Sequence, residues 1–495
     1  MTLLDHLYQT FHRHSSQNFL CDDEEFYTYG DLLESIGKIR SFIRANVADE
    51  QKNVGIIAGT DINTYAAIFA LWFEGKAYVP LLPTAPEDRN CTVVKEARLT
   101  HVLSSRDFAQ KLPAKIENTT KLAESSVIDN PVTYDPDRIA YILFTSGTTG
   151  LPKGVQISLG NLSAFIDAMI DLGHEIHDSD RVLQMFELTF DFSVVSYVLP
   201  SYGGACIYTI PEGEVKFNYS LDLLEEHHLT VLFLVPSVIT YLQMYFDNIR
   251  ETETRLCSFC GEALTLDITN RWQKCIPNAR IINFYGPTED TVFCSYYDVN
   301  AKNQKNLNDV ISVGKAMKNG DMFILNENNE EANPEERGEL CLAGPQLSPG
   351  YWNNPEKNAE SFFEHRGKRF YKTGDLCYMD AEGDVMYVGR MDFQAKIQGF
   401  RVELSEIEHY ASEFLGADLH SLCVAFTNKL GNTEIGMAVE GEEFDTKDVI
   451  DHIKSKLPPY EVPTKVMFFE RFPLNNNGKL DRKKIGEAFS AWKKY

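Results

Sequence analysis

The sequence predicts an α/β fold of largely parallel sheets with helices on their faces. Short apolar runs bounded by turn residues recur at Val54–Ala58, Arg138–Thr145 and Leu229–Val235, and they read as strands. They alternate with helix-periodic stretches such as Thr64–Phe73, the order that produces crossover connections. With 495 residues, 43% of them apolar, the chain can fill one large core and a smaller one.

Taken in order, the N-terminal stretch carries an early acid, Asp5, and no basic segment ahead of an apolar run, so it does not read as a secretory signal. Ligands of parallel sheets bind in the loops after the strands, which directs attention to Thr145–Gly154, Tyr285–Thr288 and Tyr371–Asp375. The polar, acidic segment Asn326–Arg337 reads as a hairpin tip. From Gly383 to Asp392 a hairpin strand leads into a joint, followed by an acidic amphipathic helix over Leu404–Phe414. The domain boundary is placed at Asp392, dividing residues 1–391 from 392–495.

Composition excludes several roles. No stretch reaches the roughly 18 uncharged apolar residues of a membrane span. A net charge of −25 excludes nucleic acid as a partner, because phosphate backbones select clustered Lys and Arg. The ten cysteines are scattered, and the lone pair Cys257 and Cys260 lacks a second pair at zinc-ligand spacing. Free thiols suit a reducing compartment, and a soluble cytoplasmic monomer is expected.

Leu143–Gly154 holds three glycines, three threonines, one serine and one lysine. Glycines let amides approach a phosphate, hydroxyls donate to its oxygens, and Lys153 adds a compact charge. The stretch reads as a triphosphate cradle, although Lys153 is followed by Gly154 and so departs from the P-loop spacing. This loop resembles the signature of the adenylate-forming superfamily, which includes acyl-CoA synthetases, firefly luciferase and peptide-synthetase adenylation domains. The other motifs of that family appear in order along the chain: Gly75–Pro80, Gly261–Ala263, Asn283–Glu289, Gly338–Leu340 with Gly350–Trp352, Tyr371–Asp375, Gly389–Lys396, Gly399–Leu404 and Asn477–Leu480.

The resemblance implies a large N-terminal domain of mainly parallel sheets with a distorted barrel, and a small mobile α+β C-terminal domain. It assigns ATP to Thr145, Ser146, Gly147, Thr148, Thr149, Lys153, Gly261, Glu262, Ala263, Asn283, Tyr285, Gly286, Thr288, Asp375, Arg390 and Lys479. Within that set Tyr285 offers a face for adenine, Asp375 can take the ribose hydroxyls, and Arg390 assists there. Glu289 is the expected Mg2+ ligand beside ATP, since magnesium takes few carboxylates plus phosphates. Catalysis falls to Lys479, Lys153, Glu289 and Thr145, with Lys479 stabilising charge at the α-phosphate. Asp392 is the implied hinge on which the C-terminal part turns between two half-reactions.

Asp191 matches the aspartate that pairs with the substrate ammonium in amino-acid-activating relatives. A buried carboxylate without a cation is costly, which argues against fatty or aryl acids. The implied side-chain pocket is Phe192, Val195, Phe233, Ser258, Cys260, Phe284, Val292 and Phe293, and its four phenylalanines leave room for a small substrate. Phe259–Glu262 resembles D-alanine-carrier protein ligases, so D-alanine ranks first, followed by glycine, L-alanine, serine and proline. The chain ends soon after Lys479, so the acceptor thiol is expected on a separate phosphopantetheinylated carrier protein rather than on coenzyme A. A stand-alone peptide-synthetase-type enzyme and an acyl-CoA synthetase are the alternatives.

Overall fold

The computed structural model describes residues 1–124, 129–146, 152–300, 304–416, 419–474 and 480–492. The apolar runs become central strands: Asn53–Ile57, Ala77–Leu81, Val231–Leu234 and Leu256–Phe259 are buried at every position, as parallel strands covered on both faces must be. Among the described residues two large sheets dominate. In the nine-stranded one, Arg280–Tyr285, Leu256–Phe259, Val231–Leu234, Arg181–Gln184, Cys206–Thr209 and Asn18–Asp22 run parallel. The seven-stranded one has a parallel part of Ile139–Thr145, Ala77–Leu81, Asn53–Ile57, His101–Ser104 and Lys115–Asn118.

Two helices, Ile62–Phe73 and Phe192–Gly203, are buried along almost their whole length between these sheets, which is where a helix apolar all round belongs. The hydroxyls of Tyr78 on one sheet and Tyr197 on the second helix lie 2.8 Å apart. Helix starts follow local chemistry. Asp61 accepts from the amides of Asn63 and Thr64, and Thr28 and Ser158 open their helices with capping boxes. No described helix is long and apolar enough to cross a membrane.

A five-stranded antiparallel sheet is formed by Asp321–Leu325, Gly338–Ala343, Phe362–His365, Lys368–Met379 and Val385–Arg390. The segment 326–337 is its hairpin connection. Past Asp392 the apolar residues pack among themselves, one cluster around Val402, Ile407, Met437 and Ile453, another around Val424, Phe426, Ile485 and Phe489. The helix there is Leu404–Leu415.

Ahead of that helix, Gln394–Ile397 and Phe400–Glu403 form a hairpin whose turn residues, Gln398 and Gly399, have φ of +51° and +86°. A left-handed pair is what a two-residue hairpin turn requires. Lys396 stands opposite Arg401, and Gln394 opposite Glu403, so these four side chains project from one face. That face meets the cleft described next.

Candidate active site

The strands Ile139–Thr145, Leu256–Phe259 and Arg280–Tyr285 deliver Thr145, Cys260–Ala263 and Tyr285–Glu289 to one cleft. It lies at the carboxyl edge of the sheets, where ligands of such folds bind. Two cavities meet there. The larger, about 230 Å³, is bounded by Gly261, Glu262, Ala263, Asn283, Tyr285, Gly286, Asp375 and Arg390, all expected to hold nucleotide. The smaller, about 40 Å³, is bounded by Asp191, Phe192, Cys260, Thr288, Val292 and Phe293. Cys260, Gly261, Gly286 and Lys396 border both.

In the larger cavity Asp375 accepts from the Tyr285 hydroxyl and, at 2.9 Å, from Arg390. Asn283 donates to the Ser312 carbonyl at 2.9 Å and braces the wall. The Glu262 carboxylate accepts from the amides of Ser237 (2.8 Å) and Gly399 (3.2 Å), so it ties the hairpin turn to the cleft. Gly286 admits no side chain, since a Cβ there would meet the Val292 carbonyl oxygen at 2.4 Å.

In the smaller cavity Asp191 begins the helix Phe192–Gly203 but makes no side-chain cap bond. It is 7% exposed, and it makes no ion pair with a described residue. Burial raises its pKa, opposed by the Thr288 hydroxyl and Lys396. Val195, Phe233, Ser258 and Phe284, assigned from sequence to the same pocket, do not border this cavity. They stand behind its wall: Phe284 stacks on Phe293 at 4.4 Å, Phe192 meets Phe293 edge-on at 5.2 Å, and Phe233 meets Phe192 at 6.4 Å. Ser258 is turned away toward His174 Nε2, 3.3 Å from its hydroxyl.

At the ends of their strands, Thr145 and Lys153, both assigned to the phosphates from sequence, stand opposite each other. Gly147, Thr148 and Thr149 lie outside the described residues, as does Lys479. The 394–403 hairpin docks here. The Ser146 hydroxyl donates to the Arg401 carbonyl at 2.9 Å and accepts from the Glu403 amide at 3.1 Å, while Lys153 Nζ lies 3.5 Å from Glu403. Burial lowers the Lys153 pKa, and Arg401 lowers it further against the pull of Glu403. Arg401 reaches both oxygens of Glu289 at 3.1 Å, and Tyr351 donates to Glu289 at 2.6 Å.

Burial alone would push the Glu289 carboxyl up, but Arg401 with the Tyr351 and Tyr371 hydroxyls outweighs it and holds the group at about 2. Glu289 is therefore a buried, ionised carboxylate one residue beyond Thr288 on the smaller cavity's wall, and a carboxylate of that kind is chemically suited to magnesium beside a nucleotide. Asp392 accepts from Arg390 Nε at 2.8 Å and from the Gln394 amide at 3.1 Å, in an exposed link between Met391 and Phe393.

Lys396, Phe400, Arg401 and Tyr351 were legible only as members of quoted motifs, and Tyr460 carried no sequence signal. Lys396 reaches in beside Asp191 and Asp375, and burial and Arg401 lower its pKa against those two carboxylates. Phe400 stacks on Tyr460 at 4.0 Å and tilts against Phe190 at 5.1 Å. The signal that could have found Lys396 and Arg401 is the Gln398-Gly399 turn, which sets them as cross-strand partners.

Comparison with known proteins gives a consistent picture. A family model described as AMP-binding enzyme matches residues 7–352. A D-alanine–D-alanyl carrier protein ligase of Streptococcus agalactiae serotype V is 30% identical over 483 residues, 93% of this chain and 93% of that protein. Tyrocidine synthase 3 of Brevibacillus parabrevis is 28% identical over 479 residues, 92% of this chain, and the chain spans 7% of that synthase's length. Among solved structures, the Vibrio cholerae adenylation domain AlmE in complex with glycyl-adenosine-5'-phosphate superposes with a TM-score of 0.87 at 25% identity, covering 98% of this chain and 97% of that one.

Proposed function

The chain belongs to the AMP-binding enzyme family and is an adenylate-forming ligase, and we propose that it activates a small amino acid and passes it to the thiol of a separate phosphopantetheinylated carrier protein. The observation that carries this reading is Asp191, a buried carboxylate with no ion pair among the described residues, on the wall of a cavity that adjoins the larger one. An α-ammonium supplies the charge it lacks, and a fatty or aryl acid does not. The S. agalactiae relative is named for D-alanine and a carrier protein, and the AlmE structure for a glycyl adenylate. D-Alanine and glycine are therefore the leading substrates.

In the first half-reaction a carboxylate oxygen attacks the α-phosphorus of ATP and pyrophosphate leaves. Tyr285, Asp375 and the 261–263 segment position the nucleoside, and Lys153 faces the phosphates. Glu289 with ATP oxygens would hold Mg2+, which neutralises phosphate charge when bound. In the second half-reaction the thiol sulfur attacks the acyl carbonyl and AMP leaves. A side channel of about 110 Å³, bounded by Phe186, Phe217, Val238, Tyr241 and Gln398, offers the thiol an approach, and Phe400 walls it from the acyl cavity. The docked hairpin suits this second step. Residues 392–495 would turn about Asp392 to bring Lys479 in for the first.

ATP–pyrophosphate exchange across D- and L-amino acids and a set of fatty and aryl acids tests the reading. Amino-acid-dependent exchange is expected, and exchange driven by fatty or aryl acids alone overturns it.

A pH effect follows from the contact between the two parts. Arg89 pairs with Glu406 at 2.5 Å, and Glu461 beside them is buried. Burial first, then Glu406, pushes the Glu461 carboxyl up to about 8, with Arg89 opposing and Glu403 adding to the rise. Tyr460 and Tyr410 border the same group. Once swung into water it returns toward about 4.3. The docked orientation binds the proton more tightly, so it weakens as pH rises from that value to about 8 and then levels off. The ratio of thiol transfer to adenylation is expected to fall over that range, and Glu461→Gln to flatten it.

A further inference from the structure

We propose that the amino acid this site accepts is glycine, because the acyl cavity ends at Phe293 and has no compartment for a side chain. This rests on the amino-acid reading above and narrows it.

The volume is the first observation. The whole cavity that Asp191 and the wall of Phe192, Val292 and Phe293 share with Thr145, Phe400 and Tyr460 holds about 40 Å³. At roughly 10–15 Å³ per water-sized centre, that is space for about three such atoms, which an ammonium, an α-carbon and a carboxyl carbon fill. An alanine methyl of either hand needs a further site, and the wall offers none. Behind the wall the side chains that could have bounded a deeper pocket are packed on one another. Phe293 is fully buried, stacked on Phe284, with Phe192 and Phe165 edge-on at 5.2 and 5.9 Å, and His174 edge-on to Phe284 at 5.4 Å. Interiors packed in this way yield little to an added methyl.

The backbone that sets Phe293 is the second observation. Thr291 and Val292 have φ of +50° and +69°, a region that β-branched residues adopt only when the surroundings force them. Here they do. Thr291 Oγ1 donates to the Gln346 carbonyl at 2.6 Å, Gln346 Nε2 donates to the Phe293 carbonyl at 2.6 Å, and the Phe293 amide donates to the Thr291 carbonyl at 2.9 Å. Gly286, where no Cβ fits, lets the strained turn lie against the nucleotide loop. The wall is fixed from behind by hydrogen bonds and ring packing, so the ring cannot swing aside for a larger acyl group.

ATP–pyrophosphate exchange with glycine, D-alanine, L-alanine and D-serine tests this on the whole chain. Glycine is expected to exceed either alanine in kcat/KM by roughly 10- to 200-fold, the discrimination one methylene commonly carries. Phe293→Ala and, as the milder change, Phe192→Leu are expected to raise the alanine rates and shrink that ratio to about threefold or less. Thermal unfolding shows that the variants are folded, and if neither is, the unmodified panel decides. D-Alanine turned over as well as glycine overturns the inference and leaves the amino-acid reading intact. Exchange with no amino acid but with a fatty or aryl acid overturns both.

Discussion

Asp191→Ala is expected to lower amino-acid-dependent pyrophosphate exchange by roughly 150- to 4,000-fold, the equivalent of the 3–5 kcal/mol lost when a buried ion is left without its partner. The loss should fall on kcat/KM for the amino acid, with the affinity for ATP little changed, because Asp191 borders the acyl cavity and not the nucleotide cavity. Stability should move the other way. Asp191 makes no cap bond to its helix, and burial raises its pKa in the folded chain. A raised folded pKa means that stability present below the unfolded value, about 3.9, is lost as pH rises. Asp191→Asn removes that loss, so its melting temperature should exceed that of the unmodified chain at pH 7 and match it near pH 4. A variant that is less stable at neutral pH and still active would sink the assignment.

Arg401→Leu is expected to separate the half-reactions. In the docked arrangement Arg401 is the cation that keeps Glu289 ionised, at 3.1 Å from both oxygens. Without it, docking buries an unpaired carboxylate at a cost of about 3–5 kcal/mol. Thiol transfer should fall by roughly 10²- to 10³-fold, while adenylation, measured by pyrophosphate exchange, stays within about threefold because the hairpin has then left the cleft. Arg401→Lys should restore only part of the transfer rate, since a lysine can replace the single nitrogen that meets Glu289 but not the guanidinium Nε that donates to Gln394 at 2.8 Å. Equal loss of both activities would show that Arg401 serves the first step as well.

Much of this arrangement is legible in the sequence. Runs such as Val54–Ala58 become central strands because a strand covered on both faces needs little but apolar residues, and the glycine- and threonine-rich segments mark the strand ends. The docked hairpin was not legible. Ser146 and Arg401 are 255 positions apart, and nothing in either neighbourhood encodes which surface a separate core will rest on. The depth of the acyl pocket was not legible either. Phe192, Phe284 and Phe293 could be named from the chain, but whether they ring a space or fill it depends on a left-handed turn at Thr291 and Val292, which residue preferences disfavour.

Glu289 has one negative charge to offer, and the hairpin's guanidinium claims it at both oxygens. On the proposed reading the same group would hold the metal beside ATP during activation, and a carboxylate shared between two cations would attract each of them less. The hairpin would then dock more readily once the pyrophosphate and its counter-ion have gone, and its guanidinium would disfavour their return. Competition for one carboxylate would thus bias the order of events, an interlock requiring no sensor beyond Coulomb's law.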